Sequence, residues 1–129
     1  MMIPDNLRYS KEHEWIEFKG KIATIGVTDH AQDQLGDIVF VELPDIGQEF
    51  SAGEAFGVLE SVKAVSDCYV PISGKVLEVN DLLTDAPQTV NEDCYGEGWM
   101  MRLEVTNPDE LEELMDQTAY SKYINEEST

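Results

Sequence analysis

A chain of 129 residues with 8 Lys and Arg against 27 Asp and Glu carries a formal net charge of −19 at pH 7. That length predicts one domain over 1–129 with a core that needs no disulfide or metal staple, and that charge excludes nucleic acid, whose phosphates would be repelled. No apolar run is long enough to span a bilayer, so no membrane-spanning helix is expected.

The charge itself reads two ways, as solubility or as a field that docks basic patches and speeds encounter. The start, MMIPDNLRYS, has neither a basic n-region nor an apolar h-region. Cys68 and Cys94 are too few for a disulfide framework, and with His13 and His30 they lack the spacing of zinc ligands. The expectation is no metal, ordinary thiols and a soluble, reducing compartment. That is the cytoplasm, or the mitochondrial matrix if the source is eukaryotic.

In chain order, His13 to Phe18 alternates and predicts a strand, Lys19-Gly20 a turn, and Lys21 to Val27 the return strand. Thr28 to Gly36 predicts one or two helical turns packed by Ala31 and Leu35, with Asp29 as cap, Gln32 as its reciprocal partner and Gly36 as the stop. Asp37 to Leu43 is β-branched and apolar and predicts a well-buried strand. Turn signals follow at 44–47 and 51–53, around a short strand at 48–50. A central hairpin is predicted over 54–70 and a further strand over 75–79. Residues 80–98 read as loop with local turns, and Trp99 to Val105 as the last strand. The segment 107–124 reads as helical: Asn107 caps, Pro108 sits at N1 and Glu110 completes a capping box. Residues 125–129 are expected to fray. Many short strands with turns between them predict an all-β sandwich or barrel with peripheral helices.

Two stretches stand out. GDIVFV from Gly36 and GKVLEV from Gly74 share a pattern, read either as two similar strands or as the trace of a two-fold related pair of sheets. The apex of the central hairpin, Glu60-Ser61-Val62-Lys63-Ala64, lacks the Gly, Asn or Asp that tight hairpin turns favour. A local rule broken at an exposed tip marks a candidate functional site. Lys63 there is either a solubilising surface lysine or a lysine displayed for modification.

ESVKA followed by VSD, PISGKVLEVND and NEDCYGEGWM resembles the H proteins of the glycine cleavage system. The resemblance runs from Tyr9-Ser10-Lys11-Glu12-His13-Glu14-Trp15 to Ala119-Tyr120. Lipoyl domains of 2-oxoacid dehydrogenases share the Glu three residues before the lysine but usually carry Asp directly before it. Biotin carriers typically flank the lysine with Met. Val62 therefore sets this chain nearer the H proteins.

The resemblance implies a mainly β fold, a barrel-sandwich hybrid of two small antiparallel sheets with a short helix after strand 2 and C-terminal helices. It implies lipoate covalently bound to Lys63, with Glu60 read by the modifying enzyme, a lipoate ligase or an octanoyl/lipoyl transferase. Glu14 and Asp67, with Glu12 and His30 beside them, would shelter the loaded arm in a cleft. At position 34, where some relatives carry His, this chain has Gln34. The implied role is a non-catalytic carrier. It takes the aminomethyl group of glycine from the pyridoxal-phosphate glycine decarboxylase (P protein) to the aminomethyltransferase (T protein). Dihydrolipoamide dehydrogenase (L protein) then reoxidises it. The alternative is a lipoyl relay, or H-like paralogue, that donates lipoyl groups to other acceptors. For an enzyme, Ser51, Ser61, Ser66, Cys68 and Cys94 are nucleophiles with no base beside them in sequence.

Overall fold

The computed structural model describes residues 2–127. Two antiparallel sheets carry the chain. The larger has six strands in the order β1 (Arg8–Tyr9), β2 (Glu14–Lys19), β3 (Ile22–Val27), β9 (Met101–Val105), β8 (Gly74–Val79) and β5 (Glu49–Phe50). The smaller has β4 (Ile38–Glu42), β6 (Ala55–Ser61) and β7 (Val65–Tyr69). The sheets form a sandwich and do not close into a barrel. Among the described residues no helix is long and apolar enough to cross a membrane.

Their buried faces meet in one core that includes Ile25, Leu59, Val70, Val76 and Leu103. Each such side chain stabilises the fold by about 1.5–3 kcal/mol relative to exposure. A second cluster joins the N-terminal strand to the last helix: Leu7, Tyr9 and Trp15 pack with Tyr120 and Ile124. The Tyr9 and Tyr120 rings stack there at 4.6 Å. Trp15 lies so close to β3 that a Cβ on Gly26 would stand 2.7 Å from its indole nitrogen, so only glycine fits.

The predicted short helix is α1 (Asp29–Leu35), between β3 and β4. Its cap is Thr28, not Asp29: the Thr28 hydroxyl accepts from the Ala31 N–H at 3.2 Å. The Asp29 carboxylate instead accepts from the Gln32 amide at 2.7 Å. The strand predicted over 37–43 is shorter and far less buried than its composition suggests. Val39 and Phe40 are each 51% exposed, because a register shift between Ile38 and Phe40 turns them to the outer face of a three-stranded sheet that nothing covers among the described residues. Residues 80–98 hold two short helices, α2 (Leu82–Asp85) and α3 (Thr89–Glu92), where loop was expected. Buried Leu83 and Val90 anchor them.

The predicted capping box does not form. Pro108–Glu113 is a 3₁₀ helix, the Asn107 side chain makes no capping bond, and Glu110 accepts from the Ser73 N–H and hydroxyl at 2.7 and 3.0 Å. The last helix, α4 (Gln117–Glu127), extends past the predicted end at 124. The fraying expected at 125–129 is not seen at Asn125–Glu127, and Ser128 and Thr129 lie outside the described residues. The two similar stretches fall in different sheets, as β4 and β8. Each has its register shift at the same place in the pattern, Ile38/Phe40 and Val76/Glu78. A shared irregularity is more than two similar strands produce, and it favours the two-fold reading.

Candidate functional site

The β6–β7 hairpin positions Lys63. Val65 pairs with Glu60, which leaves Ser61 to Ala64 as the connection. Neither Val62 nor Lys63 takes a positive φ. The turn is built another way. The Ser61 hydroxyl oxygen accepts from the N–H groups of Lys63 and Ala64 at 3.3 and 3.0 Å, and the Ser61 N–H donates to the Ala64 carbonyl at 2.8 Å. A serine hydroxyl that satisfies the backbone two and three residues on replaces the Gly or Asn of a tight turn.

A second support comes from the α1–β4 connection. The Val62 N–H donates to the Asp37 carbonyl at 3.2 Å. Gly36 beside it has φ 80° and ψ −157°, a conformation open essentially to glycine alone. A Cβ there would stand 3.1 Å from Lys63 Cε, so the lysine stem runs along bare backbone. Asn91 of α3 holds this connection. Its amide nitrogen donates to the Gly36 carbonyl at 2.8 Å and to Gln32 Oε1 at 3.0 Å, and its oxygen accepts from the Ile38 N–H at 2.9 Å. Among the described residues Lys63 forms no ion pair, and it is exposed. An uncommitted ammonium on a fixed base fits amide formation with a carboxylic acid cofactor. Neither Ser61 nor Asn91 was marked as structural by sequence reasoning. The Ser-x-Lys-Ala spacing carried the signal for the first, and nothing local did for the second.

Glu60 is exposed on β6, opposite Val65 and Phe40. Glu14, by contrast, is buried at 2% exposure in the first residue of β2. Its carboxylate accepts from the Ser10 hydroxyl at 2.6 Å and from the Tyr69 N–H at 3.3 Å. Burial pushes its pKa up to about 7, against the pull of those two bonds. Asp67 is exposed on β7 and lines a hollow with Glu42, Gln48 and Val58. Glu12 lines a different hollow, with Ser10, Tyr69 and Leu114. Glu14 and Asp67 share one neighbour, the buried Cys68 thiol. Burial raises its pKa, and these two carboxylates raise it further. His30 stands apart from them, its ring 4.5 Å from that of His13. The structure thus places Glu14 on β2 with its carboxylate buried against the β7 backbone, Asp67 on β7 with its side chain exposed, Glu12 in a different hollow from Asp67, and His30 in another cluster.

The family model of the glycine cleavage H-protein matches residues 7–127. A glycine cleavage system H protein of Anaeromyxobacter sp. (strain K) is 57% identical over 127 residues, covering 98% of this chain and 99% of the relative. One from Carboxydothermus hydrogenoformans is 56% identical over 126 residues, covering 98% and 97%. The crystal structure of a glycine cleavage system H protein from Mycobacterium marinum superposes with a TM-score of 0.85 at 37% identity, covering 98% of this chain and 100% of that one. With a match over nearly its whole length and more than half its residues shared with such relatives, this chain belongs to the glycine cleavage H-protein family.

Proposed function

We propose that Lys63 is the lysine that carries the lipoyl group, that Glu60 is read by the lipoate ligase or octanoyl/lipoyl transferase that attaches it, and that Glu14 and Asp67 shelter the loaded arm. The chain is a non-catalytic carrier of the glycine cleavage system, acting with the P, T and L proteins, and it holds lipoate covalently on a lysine. Residues 1–129 act as one carrier unit, and the bacterial relatives support a cytoplasmic location. The family match favours this carrier over a lipoyl relay.

The observation that carries the assignment of Lys63 is its placement: an exposed side chain at the apex of β6–β7, with the backbone on both sides held by Ser61 and Asp37. Amide formation at Nζ removes the cation and leaves the stem along Gly36. Lipoate supplies a disulfide that is reduced as it takes up the aminomethyl group and is later reoxidised. A tethered group reaches each partner at high effective concentration, which is this chain's contribution to rate.

An aminomethyl group is lost to water, so a carrier gains by covering it, and its amine is a cation that calls for carboxylate acceptors. Asp67 offers an open one. Glu14 offers a covered one, held by the Ser10 hydroxyl and the Tyr69 N–H. The carriage itself is tested by glycine–bicarbonate exchange with the glycine decarboxylase. Lys63→Arg is expected to leave the melting temperature unchanged and to abolish exchange. Retained exchange in that variant sinks the assignment.

A further inference from the structure

The only non-glycine residue with positive φ among the described residues is His13, at φ 70°. The left-handed conformation at a residue with a Cβ is a cost that persists only where surroundings hold it, and such outliers cluster at functional sites. Here it turns the His13 imidazole into a corner shared by three elements distant in sequence. His30 enters from the first turn of α1, with its ring centroid 4.5 Å away. Glu127 enters from the last residue of α4, with Oε2 2.9 Å from His13 Nε2. One ligand-capable atom from each of His13, His30 and Glu127 lies within 4.8 Å of the other two.

The far side of the His13 ring is fixed as well. His13 Nδ1 is 2.8 Å from the Tyr120 hydroxyl, and that hydroxyl is 2.7 Å from the Thr28 hydroxyl. Thr28 Oγ1 already accepts from the Ala31 N–H and has a second lone pair to offer. The chain can run in either sense. With Thr28 donating to Tyr120 and Tyr120 to Nδ1, the Nε2–H donates to the Glu127 carboxylate. With Nδ1–H donating to Tyr120 and Tyr120 to Thr28, the Nε2 lone pair is freed for a cation that replaces that proton between the ring and Glu127. An imidazole whose other nitrogen donates to a fixed partner is the arrangement found behind metal-bound histidines.

We propose that His13, His30 and Glu127 form a binding site for a divalent transition metal of the zinc class, which clasps the C-terminal helix to the N-terminal turn and to α1. Two imidazoles and one carboxylate suit zinc and its borderline neighbours rather than magnesium or calcium. Ligand atoms around a tetrahedral zinc at about 2.0 Å stand about 3.3 Å apart. Glu127 therefore moves out slightly and His30 moves in, and both side chains are partly or wholly exposed and have room to do so. Three protein ligands leave a fourth position for water. Spacing in sequence hid the site, because its ligands come from a strand-entry turn and two separate helices.

The test is isothermal titration of zinc chloride alone into the full-length chain with its arm absent or oxidised, so that no arm thiol competes. One equivalent is expected to bind at micromolar or lower Kd and to raise Tm by several degrees, because zinc binds the folded chain preferentially. His30→Gln and Glu127→Gln, both at solvent-accessible positions, are each expected to weaken binding about tenfold or more. Absence of stoichiometric binding overturns the proposal. So does equal binding by the parent and the His30→Gln, Glu127→Gln double variant, which would assign the zinc to the acidic surface.

Discussion

At the β6–β7 tip the side chain is free and the backbone is fixed. At the Glu14 corner the side chain is fixed and the backbone is ordinary strand. Lys63 projects from a turn held by the Ser61 hydroxyl, the Asp37 carbonyl and the Asn91 clamp, and its own ammonium makes no ion pair among the described residues. Glu14 sits in regular β2 pairing, yet its carboxylate is buried and held by Ser10 and Tyr69. At the tip the order lies in the base of an exposed side chain; at the corner it lies in the side chain itself, and burial of that carboxyl raises its pKa.

Changing Glu14 is expected to have the largest effect on stability. Its carboxyl titrates near 4.5 unfolded and near 7 folded. Below 4.5 both states are protonated and burial carries no penalty. As pH rises from 4.5 to 7 the unfolded state ionises first, and stability is lost progressively. Glu14→Gln, with its amide oxygen facing the Tyr69 N–H, is expected to exceed the parent in stability at pH 8 by up to about 3 kcal/mol. By pH 4 the gap should close. Urea melts of both proteins at the two pH values check this, and a gap that is the same at both would show that the carboxylate is not ionising in a buried site.

At the tip, the backbone carries the order. Gly36→Ala forces a Cβ into a glycine conformation and against the Lys63 stem, and is expected to cost about 2 kcal/mol. The same melts read it. A neutral result would mean that the α1–β4 connection is soft and does not fix the tip.

Smaller effects test the two regions in function. Glu14→Gln with Asp67→Asn is expected to shorten the lifetime of aminomethyl-loaded protein severalfold, up to about tenfold or 1.4 kcal/mol. Ammonia release in buffer without the transferase measures it, and reduction of the oxidised arm by the dehydrogenase should be unchanged. An unaffected lifetime would reduce both carboxylates to surface charge. Glu60→Gln is expected to slow lipoylation a few-fold at matched stability. Equal loading rates would leave Glu60 a solvent-facing strand charge.

The hairpin and its lysine were legible in the sequence because strand alternation and a short motif are local signals. The strands were legible for the same reason, while their division into two sheets came from resemblance. The exposure of Val39 and Phe40 was not, since a β-branched apolar run reads as buried unless the register shift is known. Nor was the true role of Glu110, which abandons a capping box with good spacing for Ser73, thirty-seven residues away. Asn91 and the meeting of His13 with His30 and Glu127 were equally hidden, because each depends on long-range packing that no local pattern encodes. Glu14 and Asp67 came from resemblance. The burial of one and the exposure of the other came only from the fold.

The central claim is that the β6–β7 tip exists to present one lysine. Its most direct test is peptide-resolved mass spectrometry of the chain after expression with lipoate. The account predicts a single lipoyl increment, on the peptide containing Lys63, and none in Lys63→Arg. An increment on Lys75 or any other lysine, or one that persists in Lys63→Arg, would contradict it.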